Sequence, residues 1–150
     1  MQFANQADQD KFNIWFREKL EHIAQYIFKK KIINTEINVE SRWIIPHNVL
    51  LGQAKPKDEE NNIYWVITGE AVPTDHAELT VAETPRDAAR YFAMRWQLQA
   101  ARVQTAETSD LEEKSDNRVD WNAMGESLAT KAEMLYALVE DDRNWQGGMH

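Results

Sequence analysis

At 150 residues the chain has room for about one domain, and six Trp, five Phe and four Tyr are too many core-formers for a disordered one. A net charge of −8 argues against nucleic acid or an anionic membrane surface as partner. The lack of cysteine excludes disulfides, thiolate nucleophiles and Cys-ligated metal.

The N-terminal stretch Met1–Asp8 has neither the basic nor the apolar region of a signal peptide, and no run approaches the roughly 18 apolar residues of a membrane span. The expectation is a soluble cytoplasmic protein. Asp8 or Asp10 can cap a first helix over residues 9–30, with Phe12, Trp15, Phe16, Leu20, Ile23 and Ile27 in one apolar stripe. Lys29, Lys30 and Lys31 close it. They read as a complement to the helix dipole rather than as a phosphate site.

The period then changes to two. Ile33, Thr35, Ile37 and Val39 alternate with polar residues, and Trp43-Ile44-Ile45 extends that strand past a bend or bulge to about residue 45. After the Pro46-His47-Asn48 turn come strands at about 49–55 and 62–69, separated by a polar loop. Connections this short imply an antiparallel meander. Residues 69–83 read as an irregular corner. Thr84-Pro85-Arg86-Asp87 opens a helix over 85–105 that is apolar on two sides, which leaves room for self-association. A polar, acidic loop follows, then a third helix over 118–142. The fold class is therefore α+β: an N-terminal helix, a three-stranded antiparallel meander, and two long helices packed on one face of the sheet, all in one domain spanning 1–150.

Motifs that carry chemistry are scarce. Asp75-His76-Ala77-Glu78 is similar to the His-x-Glu half of a zinc deaminase, but that fold also needs two cysteines. Neither a nucleophile elbow, a phosphate-cradling glycine loop nor a paired-histidine metal motif occurs, so no catalytic residue, metal or cofactor is expected. His22 follows Glu18 by four residues and reads as a surface ion pair. In the corner, Glu70, Asp75 and His76 could converge near Arg86 and Arg90 as a small-ligand site. The same residues also make a structural corner in which Arg86 pairs with Asp75. Arg95 and Arg102 share a helix side with Tyr91 and Leu98. They either cross to the acidic third helix, the favoured reading, or form a mixed aromatic–Arg patch of the kind found at interfaces.

The succession Trp65-Val66-Ile67-Thr68-Gly69-Glu70, Pro73-Thr74-Asp75-His76, Thr84-Pro85-Arg86-Asp87-Ala88 and Phe92-Ala93-Met94-Arg95-Trp96-Gln97 resembles a family of small bacterial proteins catalogued only as a domain of unknown function. The resemblance implies a stand-alone cytoplasmic protein and carries no catalytic residue with it.

Residues 1–105 hold 13 basic and 14 acidic side chains, whereas residues 106–150 hold 4 and 11. The charge thus belongs to the C-terminal third. Its acidic group, Glu107, Asp110, Glu112, Glu113 and Asp116, suggests an interaction surface for a partner with a basic face, with the tryptophans available as anchors. A non-enzymatic interaction or regulatory module is the favoured function. A ligand binder or enzyme using Glu70, Asp75, His76 and Arg86 is the alternative.

Overall fold

The computed structural model describes residues 3–110 and 121–146, and their side chains except at 104–110, 121 and 122. Asn5, rather than Asp8 or Asp10, caps the first helix, accepting the Asp8 backbone N–H at 2.9 Å. This helix, α1, runs Gln6–Lys29 and buries Phe12, Trp15, Ile23 and Ile27. It ends in a Schellman motif. Ile32 N–H returns to the Ile27 carbonyl, Lys31 N–H to that of Phe28, and Lys31 takes the left-handed backbone at φ 57°.

Four strands follow: β1 (Ile37–Ile45), β2 (Val49–Pro56), β3 (Tyr64–Thr68) and β4 (Asp75–Glu78). They pair antiparallel in the order β1-β2-β3-β4, the expected meander with one strand more. The added strand lies in the segment read as an irregular corner. The first strand also starts at Ile37 rather than 33, because Ile33 is buried beside α1. A register shift between Ser41 and Trp43 inserts Arg42. It puts Val39 on the α1 side of the sheet and Trp43 on the other.

Thr84 Oγ1 accepts the Asp87 N–H at 3.1 Å and caps helix α2 (Pro85–Asp110), which runs five residues beyond its expected end. Helix α3 (Trp121–Glu140) packs along α2, and a turn of 3-10 helix at Asp142–Trp145 returns the chain to the sheet. There the Trp145 ring stacks on Trp43, with centroids 4.3 Å apart and planes 9° from parallel.

Two cores result. On one face α1 buries Ile44, Leu50, Ala54 and Val66; on the other, Phe92 and Trp96 of α2 and Leu135 of α3 cover Trp43, Val49, Leu51, Trp65 and Ile67. The two long helices do share one face, and α1 takes the opposite one. Trp15, Trp43, Trp65 and Trp96 are all buried in these cores and so cannot anchor a partner. No helix among the described residues is long and apolar enough to cross a membrane.

Candidate functional site

Strand β4 forms one edge of the sheet, and successive side chains of a strand point to opposite faces. Asp75 faces α2, where its carboxylate accepts Trp96 Nε1–H at 2.9 Å and Arg95 Nη1–H at 3.3 Å. His76 faces α1, with Nδ1 2.9 Å from the Tyr26 hydroxyl. The backbone of His76 is tied to the same groups. Its N–H donates to Asp75 Oδ1 at 2.8 Å and its carbonyl accepts from Arg95 at 2.7 Å, so side chains close this edge to a further strand.

Around His76 the chain leaves an open cavity of about 550 Å³, lined by Lys30, Lys31, Tyr64, His76, Glu78, Tyr91 and Arg95 among others. The elements reach it for local reasons. Lys30 is the C-cap of α1, four residues after Tyr26, its Nζ 5.8 Å from that ring. Lys31 is the left-handed residue of the Schellman motif, a position where glycine is the unstrained choice. Arg95 lies over the Tyr91 ring at 5.1 Å and also donates from Nη2 to the Tyr91 hydroxyl oxygen at 3.2 Å. Arg95 is ion-paired with Asp75, whereas Lys30 and Lys31 have no ion-pair partner among the described residues. The cavity is therefore cationic on its α1 side, with the exposed Glu78 carboxylate on the strand.

Burial holds the His76 pKa below its ordinary value; Asp75 opposes this, while Arg95 and Lys30 add to it. Burial, then Asp75, raises the Tyr26 pKa against the pull of Arg95. At neutral pH the pair is a neutral imidazole and a protonated phenol. When the phenol donates to Nδ1, Nε2 carries the ring proton and offers an N–H to a ligand oxygen.

The five corner residues do not converge. Glu70 is exposed and paired with Lys19 of α1 at 2.6 Å, which lowers its pKa. Asp75 and His76 lie on β4 as described. Arg86 turns away from Asp75 and closes the end of α3, donating to the Val139 and Glu140 carbonyls and to Asp142. Arg90 pairs with Glu140 and Asp87. Helix α3 needs donors for its last carbonyls, and Arg86 is near enough to supply them. His22 contacts Thr74 at 3.0 Å rather than Glu18. Arg95 reaches β4 rather than α3, so the favoured crossing does not form there. Of the acidic group, Glu112, Glu113 and Asp116 lie outside the described residues, as do the side chains of Glu107 and Asp110.

Lys30, Lys31, Tyr26, Tyr64 and Arg95 are site residues that the sequence reading did not select. The lysine triplet was the available signal, and the helix dipole explained it equally well. Among the described residues no group of three or more His, Asp or Glu is placed to hold a metal.

The sequence profile of a domain of unknown function (DUF4826) matches residues 8–145, nearly the whole chain. The chain belongs to that family. The DUF4826 match takes in every element that builds the cavity, from α1 through β4 to α2. Comparison with the curated proteins and with the solved structures finds no match.

Proposed function

We propose that the chain binds a small anionic ligand in the cavity at the β4 edge. The observation that carries this reading is the gathering of Lys30, Lys31, Arg95 and His76 from three separate elements around one cavity, with Lys31 held in a backbone conformation that costs about 1 kcal/mol or more for a non-glycine residue. A lysine kept at a glycine position, beside an unpaired neighbour of the same charge, is poor design for stability and good design for an anion. The volume suits a metabolite-sized ligand. The role is binding, and no residue is assigned a catalytic step.

Titration calorimetry with inorganic phosphate tests this. The wild-type chain should bind phosphate, and Lys31→Gly should bind it about tenfold more weakly, for the loss of one charge-assisted contact. The same variant should be about 1 kcal/mol more stable in urea unfolding, because glycine relieves the left-handed strain. The gain in stability separates a lost binding group from a damaged fold. Equal phosphate affinity in the two proteins, or no binding by the wild type at millimolar phosphate, overturns the reading.

A basic protein partner docking on the acidic residues of 106–150 is a separate proposal. It rests on the charge count alone. Capture of such a partner should weaken steeply with salt, and salt-independent capture would remove the idea.

A further inference from the structure

Helix α2 has a second face that touches the core only at its Tyr91 end. Tyr91, Met94, Arg95, Leu98, Gln99 and Arg102 recur at helical spacing on one side of α2, away from the buried Ala89, Phe92, Ala93 and Trp96. Met94 and Leu98 are 59% and 54% exposed and lie one turn apart, so their apolar surfaces adjoin. The same six residues line a hollow of about 540 Å³. Tyr91 and Arg95 also line the cationic cavity, so the two spaces are neighbours that share the Arg95–Tyr91 pair as a common wall.

We infer that the ligand of the β4-edge site is amphiphilic: an organic phosphate or carboxylate whose anionic group lies at Lys30 and Lys31 and whose apolar body crosses Tyr91 to rest on Met94 and Leu98. This rests on the anion-binding reading and extends it. The hollow pairs an apolar floor with two cations: Arg95, which is also paired with Asp75, and Arg102, which has no ion-pair partner among the described residues. An unbranched thioether such as Met94 adapts to tails of differing shape. A second copy of the chain is the competing occupant, and charge counts against it. A two-fold pairing of this face would set Arg95 and Arg102 of one copy against the same residues of the other. An anionic membrane is disfavoured by the net charge of −8, so the ligand is a free, single molecule.

The test is a calorimetric series with inorganic phosphate, butyl phosphate and octyl phosphate, each kept monomeric. Affinity should climb by roughly twofold per methylene, as expected for a chain half withdrawn from water in an open hollow. The double variant Met94→Ser/Leu98→Ser, at exposed positions where folding is not at stake, should bring the octyl-to-phosphate affinity ratio toward one. The wild-type chain should not sediment with phosphatidylserine vesicles. Equal affinity for phosphate and octyl phosphate overturns the inference while leaving the anion site standing, as does a ratio untouched by the double variant. Vesicle binding as tight as octyl phosphate binding also overturns it, and so does a dimer that dissociates in the double variant. Failure of every phosphate to bind removes the anion-binding reading as well.

Discussion

His76 is tied at three points: its ring to Tyr26, its N–H to Asp75 and its carbonyl to Arg95. Such a residue has little freedom, and its ring is held where burial favours the neutral form. The consequence for stability has a definite sign. Because the folded pKa lies below the unfolded value near 6.5, the unfolded chain takes up its proton first as the pH falls. The contribution of His76 is complete above about pH 6.5 and is lost progressively below it. Urea unfolding at about pH 7 and about pH 5.5 should therefore show a larger loss for the wild type than for His76→Asn, in which that proton has nowhere to go. The carboxylates titrate in both proteins and largely cancel in the comparison. Equal losses would mean that His76 is solvated in solution and would weaken its place in the site. This residue was legible in the sequence; its partners were not. Tyr26 lies 50 positions away, and only the β4 pairing brings the two together.

At the level of elements, the departures from the sequence reading concentrate where polar side chains do structural work. Strand β4 is four residues long and reads Asp-His-Ala-Glu, with only Ala77 apolar and buried. No alternation signal survives in so short a polar run. Asp75 is tolerated on the core side because Arg95 and Trp96 satisfy it. The long helices and the first three strands were legible because apolar periodicity dominates them. Gly69, at the start of the corner that leads to β4, is required by close backbone approach. A Cβ there would lie 1.9 Å from the Asn48 carbonyl oxygen and 2.9 Å from Val49 Cα, so the end of β3 passes against the β1–β2 turn with no room for a side chain. Both obstacles are backbone and cannot move aside cheaply. Gly69→Ala should accordingly cost about 3 kcal/mol or more, at the top of the range for overpacking, read as a lowered urea midpoint. A wild-type midpoint would show that the turn is free to shift.

Across the whole molecule, the sheet is what makes the two cores depend on each other. β2 sends Leu50 and Ala54 toward α1 but Val49 and Leu51 toward α2 and α3, and β3 divides Val66 from Trp65 and Ile67 in the same way. Neither face can lose its helices without exposing residues of strands that the other face needs. The candidate site sits where the end of α1, the β4 edge and α2 come together, so its geometry depends on both layers being in place. That convergence is three-dimensional and leaves no local trace, which is why Lys30 and Lys31 could not be separated from an ordinary helix terminus by spacing alone. The expected behaviour is one cooperative transition in which the two cores add independently. Ile23→Val on the α1 side and Phe92→Leu on the α2 side, both at fully buried positions, should each cost about 1 kcal/mol. Because the sheet separates them, the double variant should match the sum within about 0.5 kcal/mol, with a single transition seen by both fluorescence and circular dichroism. Two separate transitions would mean that α1 can leave while the other core persists, and the cavity would then lose its lysines before the fold was lost.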